Sequence, residues 1–221
     1  MTTVGIIGSG QIGTALARLA INAGHRVVLS NSRSPDTLTG LIAELGPQAS
    51  AATSEEAATA GDVVVVTVPL RAFVHLPATA LVGKTVIDTC NYGPERDGQI
   101  DELDGTSLTS SELLLRHIPS ALLVKAFNNI SSTHVAMLAR PASADRSYLP
   151  IAGDSNSAKA VVTAFIDSVG YNVVDAGSLA ESWRQSTGTP VWGAPYAAQS
   201  TEQDHPVGED VIRAALAAAT R

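Results

Sequence analysis

The chain is poor in cysteine, in aromatic rings and in positive charge, and each shortage removes a class of function. Cys90 is the single cysteine, so no intrachain disulfide can form, and no Cys/His pairing has the spacing of a structural zinc site. A reducing, cytoplasmic setting and no metal are expected. Lys and Arg number 14 against 21 Asp and Glu, for a net charge of −7, and they form no cluster able to neutralise a run of phosphates; no nucleic-acid partner is expected. No apolar run approaches the roughly 18 residues of a membrane span, and the N-terminus has neither the charged nor the apolar region of a signal peptide. A soluble protein without a membrane partner follows. The histidines, His25, His75, His117, His134 and His205, are scattered and none forms an obvious dyad with a carboxylate. No catalytic residue is therefore designated, although His134 is kept as a possible substrate contact.

What is present is a long alternation of apolar strands and amphipathic helices. With 221 residues, 45% of them hydrophobic, the chain suffices for one large domain with a sizeable core. Thr3 to Ile7 is a short apolar run followed by glycines, and Ile12, Ala15, Leu16, Leu19 and Ala20 then recur at helical spacing. Arg26 to Ser30 reads as a second strand, completing a βαβ unit. Ser34 caps and Pro35 opens a helix through Leu45. Val63 to Val66, inside a strand Asp62 to Val68, are consecutive β-branched residues, the signature of a strand buried on both faces. Further strands are predicted at Thr85 to Asp88, Leu122 to Phe127, Leu149 to Ala152 and Val173 to Asp175. Helices are predicted at Leu70 to Ala80, Ser111 to Ile118 and Ser157 to Val169. The alternation specifies an α/β, Rossmann-type doubly wound, mostly parallel sheet with a short irregular C-terminal segment. Its division is 1–177 for dinucleotide binding and 178–221 for a substrate cover or dimerisation segment.

Gly8-Ser9-Gly10-Gln11-Ile12-Gly13 fits G-x-G-x-x-G directly after a strand and before a helix. The first glycine permits the tight turn, the second lets backbone approach a pyrophosphate, and the third lets helix and strand pack closely; the helix N-terminus adds amides and partial positive charge. The second strand ends not in the acidic residue that holds the ribose 2′-hydroxyl of NAD but in Asn31-Ser32-Arg33. A guanidinium there suits the 2′-phosphate of NADP(H), with Asn31 and Ser32 adding hydrogen bonds.

Ligands of open α/β sheets lie outside the carboxyl ends of the strands, which gathers Gly8 to Gly13, Asn31 to Ser34, Pro69 to Phe73, Thr89 to Gly93 and Phe127 to Ser131 onto one rim. Leu70 or Phe73 could pack against adenine or nicotinamide, and Asn91 and Tyr92 open a long polar loop nearest the nicotinamide. Asp88, in a buried strand, reads as structural. Trp183, Trp192 and Tyr196 fall in the irregular tail, where they cover a flat substrate, a subunit interface or simply the sheet; a homodimer using this tail is expected.

With these residues assembled, the sequence resembles the NADPH-dependent reductases of the 8-hydroxy-5-deazaflavin coenzyme and the dinucleotide-binding oxidoreductases grouped with them. The resemblance runs from residue 1 to about Ala180 and rests on the glycine motif, Asn31-Ser32-Arg33, Thr67-Val68-Pro69, Lys125-Ala126-Phe127-Asn128-Asn129-Ile130, Ala152-Gly153-Asp154 and Asp175-Ala176-Gly177. It implies direct hydride exchange between NADP(H) and a deazaflavin, with no side-chain acid or base. It also implies pyrophosphate contacts from Ser9, Gly10, Gln11 and Ile12, 2′-phosphate contacts from Ser32 and Arg33, and a nicotinamide side lined by Val68, Pro69, Asn91 and Asn128. The tail departs from the family pattern, so reduction of another small redox substrate (a flavin, carbonyl or imine) and a non-enzymatic NADP-sensing role stay open.

Overall fold

The computed structural model describes residues 1–105, 108–198 and 206–221; His205 lies outside them. The elements run β1 (Thr3–Ile7), α1 (Gln11–Asn22), β2 (Arg26–Ser30), α2 (Thr39–Leu45), β3 (Ala49–Ala51), α3 (Ser54–Ala60), β4 (Val63–Val66), β5 (Thr85–Asp88), α4 (Pro94–Asp97), α5 (Ser110–His117), β6 (Leu122–Lys125), α6 (Ser132–Met137), β7 (Tyr148–Gly153), α7 (Asn156–Ser168), β8 (Asn172–Asp175), α8 (Ala194–Ala198) and α9 (Glu209–Ala217). Among the described residues the strands form one eight-stranded sheet in the order β3-β2-β1-β4-β5-β6-β7-β8. This is a Rossmann-type fold. Every pairing is parallel except β6 with β7, where Lys125 faces Ala152; because β8 runs parallel to β7, the expected extension of the sheet occurs with both of its strands reversed relative to β1–β6.

The tetravaline strand explains the layering. Val63 and Val65 point into one apolar cluster with Leu16, Ala20, Val162 and Ile166, whereas Val64 and Val66 point into another with Phe73, Leu114 and Ile118. Period-2 alternation thus feeds helices on both faces of the sheet. At about 25 cal/mol per Å² of apolar area removed from water, such fully buried valines each contribute roughly 1.5–3 kcal/mol.

Several local expectations change. The helix expected over Leu70 to Ala80 is a 3-10 segment, Leu70–His75; Leu76, before Pro77, is extended at φ −67° and ψ 141°, as the proline ring requires of its predecessor. The helix expected from Ser34 begins as a 3-10 turn, Pro35–Leu38, capped by Ser34, before α2. Neither β3 nor α3 was expected, although Thr53 and Glu56 form a reciprocal capping box at the start of α3.

The tail is less irregular than its composition suggests, with a 3-10 segment at Leu179–Gln185 and the short α8. It has no separate core: Val191, Tyr196, Val207, Ile212 and Leu216 join the cluster beneath α1 and α7. Tyr196 is fully buried within its own chain, so that ring needs no second copy to cover it. Among the described residues no helix is long and apolar enough to cross a membrane.

Candidate functional site

The strand order reverses between β1 and β4, and a crevice opens at such a switch point because the flanking helices leave on opposite faces. The glycine motif fills its centre. Gly8 has φ +117°, and a Cβ there would lie 2.2 Å from the Thr67 carbonyl oxygen. A Cβ on Gly13 would lie 2.0 Å from the Gly8 carbonyl oxygen, so only glycines allow β1, α1 and the exit from β4 to meet. Gly10 differs: nothing stands within 4 Å of its Cβ position. It caps α1 without a side-chain hydrogen bond, and the first turn carries no acidic residue. The first-turn amides, which no helical carbonyl can satisfy, are thus available to an anion, and Gln11 and Ile12 line the space beside them.

On one side of this turn lies a cavity of about 560 Å³ bounded by Gly8, Asn31, Ser32, Arg33, Thr53, Ser54, Val68, Ala72, His75 and Leu76. Asn31 shapes its outer wall: Oδ1 accepts the Arg33 N–H at 2.8 Å and Nδ2 donates to Thr37 Oγ1 at 2.9 Å. Ser32 and Arg33 are exposed on that turn. Leu70 and Phe73 do not reach the cavity, being 3% and 2% exposed and packed in the core below the rim. Ala72, one residue before Phe73, and Leu76, three beyond it, supply the apolar wall instead, because the segment winds as a 3-10 turn. Thr53 and Ser54 were missed with α3, and the Thr-x-x-Glu capping signal could have found them.

On the other side is a cleft of about 370 Å³ whose walls include Gln11, Val68, Pro69, Cys90, Asn91, Arg96, Asn128 and Trp192. Asn91 and Asn128 face one another: Asn91 Nδ2 donates to the Asn128 carbonyl at 2.6 Å, and Asn128 Nδ2 donates to Asn91 Oδ1 at 3.0 Å and to the Gln185 carbonyl at 2.6 Å. Phe127 precedes this pair with φ 59°, a left-handed conformation held by no other non-glycine among the described residues. Such strain costs of order 1–3 kcal/mol and persists where packing over-determines it. Here the ring is fully buried, edge-on to Phe165 and Tyr171 at 6.3 and 6.5 Å. The turn it makes sends Asn128 to Ile130 across the rim. Asn129 then holds the tail, donating to the Val191 carbonyl at 3.2 Å and to Tyr196 Oη at 3.0 Å, while its own carbonyl accepts the Gly193 N–H at 2.8 Å.

Trp192 is thereby suspended beside the cleft with 40% of its surface exposed. It also walls, with Asn91, Tyr92, Arg96 and Thr187, an adjoining cavity of about 600 Å³. Of the three tail aromatics only Trp192 reaches the cleft; Tyr196 lies in the core and Trp183 is covered by the guanidinium groups of Arg184 and Arg221, at 4.5 and 5.1 Å from its ring. Arg96 escaped the sequence reading, since only the fold of α4 turns it toward Asn91, whose carbonyl accepts from its Nη2. Asp97 fixes that guanidinium through Nε at 3.2 Å and Nη2 at 2.8 Å. Hydrogen bonds from Arg96 and from the Gly93 and Leu70 amides hold the Asp97 carboxyl below its ordinary range despite its desolvation. His134 lies on α6 and does not line the cleft.

Beneath the floor, Asp88 and Lys125 form an ion pair at 3.1 Å, both side chains almost wholly buried. Asp88 is paired and hydrogen-bonded, as a buried carboxylate must be; its partner was legible only as a lysine ending the neighbouring apolar strand. Cys90, between them, is buried, and desolvation followed by the Asp88 charge pushes its thiol well above the usual thiol range. It is held as a neutral wall group, not a nucleophile.

Residues 3–92 match the family model described as NADP oxidoreductase, coenzyme F420-dependent. No curated protein matches the chain. Among solved structures, a hypothetical protein of Sinorhizobium meliloti is similar at 30% identity and a TM-score of 0.75, over 86% of this chain and 93% of that one. A candidate F420-dependent NADP reductase of Arthrobacter sp. FB24 shares 22% identity, with a TM-score of 0.67 over 83% of this chain and 87% of its own. An imine reductase of Streptomyces aurantiacus shares the fold at 17% identity and a TM-score of 0.58, over 79% of this chain and 55% of its own.

Proposed function

We propose that this chain, an NADP-dependent oxidoreductase of the coenzyme F420-dependent family, moves hydride between NADPH and a deazaflavin held on the Trp192 side of the cleft. The observation that carries this reading is the shared wall: Val68 borders both cavities, on either side of the α1 N-terminus, so the two adjoin as the two halves of a dinucleotide site would. Ser32 and Arg33 hold the 2′-phosphate, with Asn31 fixing their turn. Ala72 and Leu76 face the adenine, and Ser9 to Gly13 cradle the pyrophosphate. Val68, Pro69, Asn91 and Asn128 orient the nicotinamide.

When bound, the nicotinamide supplies the hydride itself. The chain contributes orientation and exclusion of water, which in bimolecular reactions can account for much of the acceleration. The proton that must accompany the hydride onto the acceptor is taken from solvent at the open side of the cleft, and no side chain is assigned to deliver it. The adjoining cavity behind Asn91, Arg96 and Trp192 receives the acceptor ring. That compartment also favours an enzyme over a sensing module, since sensing requires no second compartment. Its polar walls, Thr187 and Arg96, support a second reading in which another small redox substrate, such as an imine or carbonyl, is reduced.

The test uses NADPH deuterated at the transferring carbon, with mass spectrometry of the reduced deazaflavin. Deuterium retained in the product is expected. Washout into solvent excludes direct transfer, and turnover of imines or carbonyls without deazaflavin turnover decides for the second reading. Arg33→Ala separates the cofactor assignment from the acceptor. A charge-assisted phosphate contact is worth roughly 1.5–3 kcal/mol, so NADPH should bind about ten-fold or more weakly while NADH is little changed. Equal losses for both cofactors sink the Arg33 assignment.

A further inference from the structure

Asp88 and Lys125 end two neighbouring parallel strands at paired positions, on the α5 face of the sheet. Their side chains are 0% and 1% exposed. Lys125 Nζ donates to Asp88 Oδ2 at 3.1 Å, to the Cys90 carbonyl, and to Ser110 Oγ at 3.5 Å. Asp88 accepts the Cys90 N–H on Oδ1 at 2.8 Å and the Ser111 hydroxyl on Oδ2 at 2.7 Å. Cys90 is therefore gripped at both its N–H and its C=O, and the peptides on either side of it cannot swing. The next residue is Asn91. Ser110 and Ser111 open α5, where the long loop that begins at Asn91 comes back to the sheet, so both roots of that loop close on one ion pair.

An apolar pair of similar volume would hold two buried strands as well or better, because desolvating two charges offsets their attraction. What an apolar pair cannot do is fix the direction of a peptide. A fully satisfied network of donors and acceptors can, and it does so most stiffly where dielectric screening is low. Resting on the NADPH reading above, we propose that Lys125 and Asp88 are positioning residues that aim Asn91, and through it Asn128, at the nicotinamide half of the cofactor. They do nothing for the 2′-phosphoadenosine half, which lies on the far side of the glycine turn.

The test compares two ligands, NADPH and adenosine 2′,5′-bisphosphate, on the folded full chain. The variant Asp88→Asn/Lys125→Met removes both charges together, so neither is left buried alone. Ser111→Ala, which deletes one hydrogen bond to Asp88, is the milder second variant. Misplacement by an ångström can cost up to about a hundred-fold in the reacting complex, and a loss of about ten-fold in NADPH affinity is expected for the double variant, about three-fold for Ser111→Ala. Binding of the bisphosphate should stay within about two-fold of wild type in both, and with any accepted substrate kcat should fall more than KM changes. A folded variant in which both ligands weaken by the same factor, or in which neither weakens, overturns the proposal. A wild-type chain that takes neither ligand overturns the NADPH reading, and this inference with it; no behaviour of the variants alone can produce that result.

Discussion

Lys125→Met alone is expected to lower the unfolding free energy by about 3–5 kcal/mol, the largest stability loss of any single replacement at the site. Methionine matches the lysine stem in length and flexibility, so the loss does not come from packing. It comes from Asp88, which keeps its carboxylate at 0% exposure with, among the described residues, the Ser111 hydroxyl and the Cys90 amide to solvate it. A buried ion without its counter-ion bears the desolvation penalty that the pair had offset. Urea denaturation followed by circular dichroism checks it: the midpoint should fall sharply with an unchanged slope. Adding Asp88→Asn to Lys125→Met should restore most of the loss. A single variant within about 1 kcal/mol of wild type would show that the pair is not the buried charge network described above.

Gly10→Ala and Gly13→Ala, three residues apart in one motif, are expected to fail in opposite ways. At Gly13 the new methyl would meet the Gly8 carbonyl oxygen at 2.0 Å, a backbone contact that cannot rotate away, so α1 must lift from β1 and stability should drop by about 1–3 kcal/mol or more. At Gly10 the backbone is extended, φ −73° and ψ −170°, which alanine adopts freely, and the methyl meets no atom within 4 Å. Folding should change by no more than about 1 kcal/mol, the cost of a poorer helix cap. On the proposed placement of the cofactor the methyl nevertheless stands where the pyrophosphate approaches, and NADPH affinity should drop about a hundred-fold, roughly 2.7 kcal/mol. Thermal melting and cofactor titration on both variants separate the two effects. Wild-type NADPH affinity in Gly10→Ala would move the pyrophosphate off this turn.

The division between what could and could not be read from the sequence follows the range of the interactions. Thr3 to Ile7, Arg26 to Ser30 and Thr85 to Asp88 are strands over the very residues expected, because continuous apolarity and the glycines or polar residues around it are local signals. The glycine turn was legible for the same reason. The direction of β7 was not, since periodicity marks a strand without saying which way it runs. Leu70 and Phe73 were placed near the cofactor because they follow a strand on the rim; the segment winds as a 3-10 turn and both side chains enter the core. The tail was least legible. Its position depends on Asn128 and Asn129 reaching Gln185, Val191 and Tyr196 across 57, 62 and 67 residues, and no pattern within the tail announces those partners.

The reversal of β7 and β8 places the start of the tail at the end of the sheet away from the glycine turn. Gly153, at the end of β7, pairs with Val124, and its N–H donates to the Gly177 carbonyl; from there Leu179–Gln185 climbs to Asn128 at the rim. On the proposed reading, the residues that grip the cofactor and the tail residues that wall the acceptor thus come from opposite halves of the chain and meet at the rim, where Gln11, Asn128 and Trp192 line one cleft.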